Sequence, residues 1–294
     1  MAASRGHIAG VYRAQIGFRD SNGYFKGTDS TPDVVANGTT LSSYHLLGPV
    51  SATAFQPTYE RAEFSGGQAY LGSRDLGISA FGSFDITLSG HDDTFNTYAN
   101  ATSPDVTITS AYSVTAFNSG LVSPPQMYLI LTLGYQKEDG TNWYIHYIYN
   151  NVQIRRSNPG AASNQGGTNP NAQTYTVILA RSSRTLFGYP YSTTTLGVVD
   201  NLDVMMEYKT QYPISVTVFT GNGTVGASGT DLQLPYKPAT SDATGAASNV
   251  ITKDGVLQAA SSVSTTDGKV TYASAPANAT INVIVYTTNF VAAA

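Results

Sequence analysis

The pattern of hydrophobic and polar positions is plainest in two adjacent segments near the middle of the chain. Residues 127–137 and 142–155 are rich in β-branched and aromatic residues, with apolar side chains at both odd and even positions. The connector at 138–141 contains an Asp-Gly pair, which tight hairpin turns favour because glycine adopts positive φ without strain. The pattern predicts a β-hairpin with two apolar faces. Since a hairpin packed on one side alternates apolar with polar residues, we expect another layer of the chain or a neighbouring subunit to cover the second face.

Further strand-like segments flank this hairpin, at 10–25, 44–55, 81–89, 106–117, 174–180 and 202–208. One short helix is expected at 91–100, where Asp92 and Asp93 suit a helix N-terminus. The connections at 56–72 and 157–173 lack a regular pattern and are predicted as loops. The sequence therefore predicts an all-β fold, a β-sandwich or barrel with one short helix.

The residue types change near Gln211-Tyr-Pro213, after which Thr, Ser, Gly and Ala dominate and large aromatic residues become rare. Short strands are predicted at 214–219, 231–234, 250–252, 269–273 and 280–286, a spacing typical of a small sandwich. We therefore predict two domains, residues 1–210 and a C-terminal β-sandwich of residues 211–294.

Composition narrows the functional classes. The 294 residues include 12% charged residues, 20 tyrosines and no cysteine, and the net charge is −4. The charge has the wrong sign for gripping nucleic acid, since affinity for DNA comes largely from Lys and Arg neutralising phosphates. Disulfides and thiolate metal sites are excluded. No apolar run reaches the roughly 18 residues of a membrane helix, and the N-terminus lacks the apolar core of a signal peptide.

Candidate chemistry is sparse. The histidines His7, His45, His91 and His146 show no metal-ligand spacing, and the position of His146 inside a predicted strand favours a core or interface residue. His91-Asp92-Asp93 is the best candidate for metal or acid–base work, although a helix cap explains the same residues. Residues 221–226 match the dinucleotide fingerprint G-x-G-x-x-G, but a strand is predicted next where the mechanism needs a helix. We predict that the protein is not an enzyme and that it has no cofactor and no metal site.

The tyrosines allow two interpretations. Aromatic rings can stack on the apolar faces of sugars. They are equally suited to protein–protein interfaces, where large amphipathic side chains are enriched. Because most of them lie in predicted strands at core periodicity, the second interpretation is favoured.

Several segments resemble the major tail tube protein of long-tailed, non-contractile bacteriophages. The residues that carry the resemblance are Ile16–Tyr24, Leu47-Gly-Pro-Val50, Pro57-Thr-Tyr-Glu60, Gly66-Gly-Gln68, Leu71-Gly72, Leu76–Ser89 and His91-Asp-Asp-Thr-Phe95. In that family a long loop precedes a small-residue turn, an amphipathic strand and a short helix. The resemblance covers roughly residues 1–210.

The C-terminal part resembles the small immunoglobulin-like β-sandwich module of phage tail and fibre proteins. It does so in Phe219-Thr-Gly-Asn-Gly-Thr224, Leu232-Gln-Leu-Pro235, Lys253–Gln258, Asp267–Pro276 and Ile281–Tyr286. The same module occurs in fibres, so the alternative function is a fibre, decoration or carbohydrate-binding β-protein on the virion surface.

The resemblance implies a structural virion protein that assembles with copies of itself into stacked, six-fold rings, the tail tube through which genome DNA is ejected. Expected partners are further copies and the tape measure, terminator and tip proteins, while DNA passes the lumen without specific binding. The location implied is the virion tail, assembled in the host cytoplasm, with the C-terminal module projecting outward. The expected ring-stacking loop comprises Thr58, Tyr59, Glu60, Arg61, Glu63, Phe64, Gly66, Gly67, Tyr70 and Leu71. The expected subunit-interface hairpin comprises Tyr128, Ile130, Trp143, Ile145, Tyr147 and Tyr149.

Overall fold

A computed structural model describes twenty segments of the chain. They are residues 6–19, 25–27, 40–42, 44–46, 50–52, 58–66, 69–80, 82–88, 106–109, 112–114, 126–156, 173–180, 188–190, 196–198, 205–224, 231–239, 249–253, 256–257, 262–278 and 281–293. Their regular structure is entirely β, and the sheet pairings are antiparallel. The prediction of an all-β fold is confirmed.

The described residues form 24 strands. The first ten are β1 (Gly6–Arg19), β2 (Phe25–Gly27), β3 (Thr40–Ser42), β4 (Tyr44–Leu46), β5 (Val50–Ala52), β6 (Thr58–Gly66), β7 (Ala69–Ala80), β8 (Ser83–Leu88), β9 (Val106–Thr109) and β10 (Tyr112–Val114). The next seven are β11 (Met127–Lys137), β12 (Asn142–Arg156), β13 (Gln173–Leu179), β14 (Gly188–Pro190), β15 (Leu196–Val198), β16 (Met205–Thr210) and β17 (Ile214–Thr220). The last seven are β18 (Leu232–Gln233), β19 (Tyr236–Pro238), β20 (Asn249–Lys253), β21 (Val256–Leu257), β22 (Ser262–Val263), β23 (Lys269–Thr271) and β24 (Ile281–Ala292).

The chain divides into two compact units. The first comprises Met1–Val50, Pro125–Asn151 and Ser182–Ala294, and the second comprises Ser51–Pro124 and Val152–Arg181. Strand β12 contributes residues to both. The domain boundary predicted between residues 210 and 211 falls inside the first unit, and the two-domain division stays a prediction.

The central sheet of the first unit is built on β1. Strand β11 pairs with β1 along almost its whole length, and β12 follows β11 through the hairpin turn. Strand β16 then pairs with residues 144–149 of β12. On the other side of β1, β4 pairs with residues 14–16 and β2 with residues 18–19. The order β1-β11-β12-β16 places the predicted hairpin in the middle of the sheet.

The C-terminal strands of the first unit, together with β3, form two further sheets around a shared core. One has the order β21-β20-β24-β17-β3, with β19 also paired to β24, and the other has the order β18-β23-β22. Side chains from both sheets meet in one cluster: Phe219, Leu232, Leu234, Val270, Tyr272, Ile284 and Tyr286. Two sheets that share an apolar core form a sandwich. All five predicted C-terminal strands are present, while the immunoglobulin-like assignment stays a prediction.

In the second unit, residues 152–156 of β12 pair with β13, which pairs in turn with β8. The side chains of β13 alternate regularly between buried and half-buried, as expected for a strand with one core face. Strands β6 and β7 pair with each other as a two-stranded ribbon.

This ribbon corrects one prediction. The connection at 56–72 was expected to be a loop, whereas residues 58–66 and 69–80 are paired strands. The register of the ribbon shifts at three places, and each shift interrupts the two-residue alternation that marks a strand in sequence. The helix predicted at 91–100 lies outside the described residues, as does the loop predicted at 157–173 apart from residue 173, which begins β13.

Candidate functional site

The hairpin of β11 and β12 forms as predicted, with strand ends within one residue of expectation. Gly140 has φ +81°, and its N–H donates to the carbonyl of Lys137 at 2.9 Å. The Asp139 carboxylate accepts from the backbone N–H of Thr141 at 2.9 Å and from its hydroxyl at 2.5 Å. These hydrogen bonds to Thr141 lower the pKa of Asp139. The Asp-Gly pair therefore supplies both the positive φ and the side-chain acceptor that close the turn.

The base of the hairpin is covered on both faces by the chain itself. The side chains of Tyr128 and Ile130 have no exposed surface, and those of Ile145 and Tyr149 are 4% exposed. Burial raises the pKa of the Tyr149 hydroxyl above its ordinary range. These four of the six residues predicted at a subunit interface therefore need no neighbouring copy to remove them from water. The expectation of two apolar faces is confirmed for this half of the hairpin, and the cover comes from within.

Three aromatic side chains of β12 are different, because Trp143 and Tyr144 near the turn and Tyr147 farther along the strand stay half-exposed. The ammonium group of Lys137 lies 3.4 Å from the centroid of the Trp143 ring, a cation–π contact on one ring face. Desolvation raises the pKa of Tyr147, with a smaller contribution from the charge of Glu207. Of the six predicted interface residues, Trp143 and Tyr147 are the two that keep surface for a partner.

The rings of Trp143 and Tyr144 are also the ones that a sugar platform in the hairpin would use. One face of Trp143 is taken by Lys137, and Tyr144 packs edge-to-face with Tyr12 at a centroid distance of 5.1 Å. These intrachain contacts occupy ring surface that sugar stacking needs. The carbohydrate-binding alternative stays untested.

The residues predicted to stack rings lie on the β6–β7 ribbon. Thr58, Tyr59, Glu60, Arg61, Glu63, Phe64 and Gly66 belong to β6, and Tyr70 and Leu71 belong to β7. Gly67 lies outside the described residues. The predicted set is therefore brought together on one ribbon, with Phe64 opposite Gly72 and Ser65 opposite Tyr70. Its role in stacking stays a prediction.

His146 is a buried core residue, as its position in the strand predicted. Its side chain has no exposed surface, its Nδ1 lies 2.9 Å from the Thr132 hydroxyl, and its Nε2 lies 2.7 Å from the Thr210 hydroxyl. Desolvation lowers the pKa of His146 to about 3, although the carbonyl of Tyr212 acts in the opposite direction. The imidazole is therefore neutral at physiological pH.

The sheet edges are a feature that sequence reasoning missed. Residues 6–13 of β1 pair with β11 on one side, and none of the described strands pairs with their other side. In the same way β16 pairs with β12, and its outer side has no partner among the described strands. Ile8 and Tyr12 on the β1 edge are 56% and 51% exposed. The apolar residues near the N-terminus indicate a strand there, but a single sequence does not show that this strand lies at the edge of a sheet.

Side chains that bind metals do not cluster in the described part of the chain. Within it, no three His, Asp or Glu side chains are close enough to hold a metal ion. The candidate at His91-Asp92-Asp93 lies outside the described residues. The described residues include no helix long and apolar enough to span a membrane.

Comparison with known proteins yields no match among family models, curated proteins or solved structures. The functional assignment therefore depends on the residues and on the geometry described above.

Proposed function

We propose that this protein is a structural subunit that assembles with copies of itself into stacked rings of a phage tail tube, the conduit for DNA. Two kinds of support converge on this proposal. The sequence resembles tail tube proteins over residues 1–210, and the central sheet of the first unit has geometry suited to ring closure.

The main structural support for this proposal is the direction of the strands at the two open sheet edges. Strand β1 is antiparallel to β11, the hairpin turn reverses the chain into β12, and β16 is antiparallel to β12. Strands β1 and β16 therefore run in opposite directions at opposite edges of a four-strand path. If copies are related by rotation, β16 of one copy meets β1 of the next in antiparallel orientation. Such a heterologous contact closes into a ring when the rotation divides a full turn.

The character of the β1 edge supports a protein partner. An unpaired strand edge with exposed apolar side chains associates readily with other chains unless charge, proline, a β-bulge or a covering element protects it. The register of β1 shifts between Ile8 and Gly10 and between Val11 and Arg13, and both Ile8 and Tyr12 remain exposed beside these shifts. Within residues 6–13 the side chains of Ile8 and Tyr12 are exposed. The one charged residue in this segment, Arg13, is half-buried. Pairing with a second copy would cover this edge.

Stacking of rings is assigned to the β6–β7 ribbon. A two-stranded hairpin alone is at best marginally stable in water, so a ribbon of this length needs packing partners. Contact with an adjacent ring would supply them. A lumen with a mildly acidic, Ser/Thr/Asn-rich surface would let DNA pass, because it offers few cations to bind phosphates.

Electron microscopy of the concentrated full-length protein tests the proposal directly. We expect rings or tubes for the natural sequence. The Ile8→Lys variant places a charge on the open β1 edge and should prevent assembly without affecting folding, because the side chain is already exposed. Ser274→Lys adds the same charge at an exposed turn away from that edge and should assemble normally.

Persistent monomers of the natural sequence under all conditions would contradict the proposal. Assembly by Ile8→Lys to the same extent as Ser274→Lys would show that the β1 edge is not the contact. A glycan array on the same samples tests the alternative, since specific sugar binding by the monomer favours the surface-adhesion function.

A further inference from the structure

The hydrogen bonds of His146 have a defined direction. The Thr210 hydroxyl donates its single proton to the carbonyl of Tyr212 at 2.5 Å. His146 Nε2, 2.7 Å from the same hydroxyl oxygen, must therefore be the donor in that contact. Nδ1 then accepts from the Thr132 hydroxyl at 2.9 Å. The neutral ring with its proton on Nε2 satisfies the whole chain from Thr132 to Tyr212.

The residue that follows Tyr212 is hydrogen-bonded to the C-terminal strands. The carbonyl of Pro213, next to Tyr212, accepts from the backbone N–H of Thr288 at 2.8 Å. The Thr288 hydroxyl, fully buried, donates to the carbonyl of Lys237 at 2.7 Å and accepts from the N–H of Phe290 at 2.9 Å. One threonine thus joins the turn after β16 to both β19 and the end of β24.

Phe290 connects these C-terminal contacts to β1. It has φ +58°, an unfavourable backbone conformation for a bulky residue that persists only when its surroundings hold it. The Arg13 guanidinium lies 3.4 Å from the centroid of its ring, and the ring of Tyr236 packs edge-to-face on it at 5.2 Å. Arg13 is the register partner of Thr132, where the hydrogen-bond chain began.

We propose that these contacts together form a latch that fixes β17, β19 and β24 to the sheet of β1, β11 and β12, with His146 as its positioning residue. A separate contact supports the same docking, because the Gln15 side-chain amide donates to the carbonyl of Ile214 at 2.6 Å in a buried position. The latch makes the Gln211–Pro213 turn a fixed junction instead of a hinge. It holds whether or not the protein forms rings.

Two pairs of variants separate the latch from simple space-filling. His146→Asn places an amide near the Nδ1 position and loses the hydrogen bond to Thr210, whereas His146→Gln reaches the Nε2 position and keeps that hydrogen bond. Thr210→Val removes the hydroxyl, whereas Thr210→Ser retains it. Hydrogen–deuterium exchange of the full-length chain would be measured by mass spectrometry, peptide by peptide.

We expect His146→Asn and Thr210→Val to speed exchange about tenfold in peptides from 211–220 and 284–292, the effect of losing one buried hydrogen bond. His146→Gln and Thr210→Ser should change it much less, and peptides from β8 and β13 should not change. Equal effects of Asn and Gln, or an equal rise in residues 127–131, would overturn the latch.

A measurement on the natural sequence avoids any loss of folding in the variants. Nuclear magnetic resonance of histidine labelled with ¹⁵N and ¹³C reports which ring nitrogen carries the proton. With the signal of His146 assigned through its backbone, we expect a neutral ring protonated on Nε2 at pH 6. A ring protonated on Nδ1, or a charged ring at that pH, would contradict the direction of the chain and overturn the proposal.

Discussion

The base and the tip of the central hairpin have the same kind of sequence and different surroundings. Residues 127–132 of β11 are buried on both faces, whereas residues 133–137 are half-buried or exposed. Both halves contain large apolar and aromatic side chains. The comparison teaches that an apolar pattern shows which faces avoid water, while the identity of the covering surface depends on contacts far away along the chain.

The largest effect is expected when one apolar side chain is truncated in the base of the hairpin and another is truncated nearer its tip. Ile130→Ala removes a side chain with no exposed surface and should lower the free energy of unfolding by about 2–5 kcal/mol. Leu133→Ala, at a half-buried position, should cost less than about 1.5 kcal/mol in the monomer. Urea unfolding of both variants at a concentration that excludes assembly provides the measurement. Equal losses would remove the distinction between base and tip.

A second test adds volume at the base. Gly17 lies opposite Tyr128, whose ring occupies the space where a Cβ would be, and Tyr128 has no exposed surface into which it could move. Gly17→Ala should therefore overpack the site and cost about 1–3 kcal/mol in thermal or urea unfolding. Gly134→Ala on the half-buried part of β11 is the control, because its Cβ would make an ordinary contact with Ala9.

Acid tests the buried histidine at the base. The pKa of His146 is about 3 in the folded protein against 6.5 unfolded, so the unfolded chain binds more protons between these values. The stability from neutral His146 is fully present above pH 6.5 and is lost as the pH falls towards 3, at up to about 1.4 kcal/mol per pH unit.

Unfolding measured at pH 7 and pH 5 should therefore differ by roughly 2 kcal/mol through this residue. The carboxylates also titrate, so the His146→Gln variant supplies the baseline. If it shows the same pH dependence as the natural sequence, the buried imidazole contributes nothing.

The smallest effect is expected at the tip. Lys137→Met removes the cation–π contact with Trp143 while keeping the length of the side chain, and should cost about 0.5–1 kcal/mol. Lys209→Met is the matched control, because its exposed ion pair with Glu207 at 3.0 Å contributes little. A change of several kcal/mol at Lys137 would show that the tip is as critical to folding as the base.

Local chemistry made the hairpin predictable. Its turn depends on three neighbouring residues, Asp139, Gly140 and Thr141. Its two strands are continuous runs rich in β-branched and aromatic residues. The β6–β7 ribbon was missed because its register irregularities remove the alternation that identifies a strand. When the backbone geometry of a strand is set by its pairing with a second strand, it is difficult to predict from the sequence of the first strand alone.

The cover over the base could not be predicted, because it involves residues far apart in the chain. Gln15 and Arg13, the register partners of Ile130 and Thr132, contact Ile214 and Phe290. Sequence reasoning placed His146 in the core, but it could not find Thr132 and Thr210 as its partners, since threonine is common and strand order was unknown. The assignment of Trp143 and Tyr147 to a subunit contact stays a prediction.

Strand β12 has a consequence for how the gene tolerates insertions and deletions. Its residues 144–149 hold β16 in the first unit, and its residues 152–156 hold β13 in the second. Loss or gain of one codon within this stretch would turn the side chains beyond it to the opposite face. Placed before residue 144, such a change would separate His146 from both threonines and turn Val152 and Ile154 out of their buried positions together. We therefore expect natural variants to keep the length of this strand fixed even where its individual residues differ.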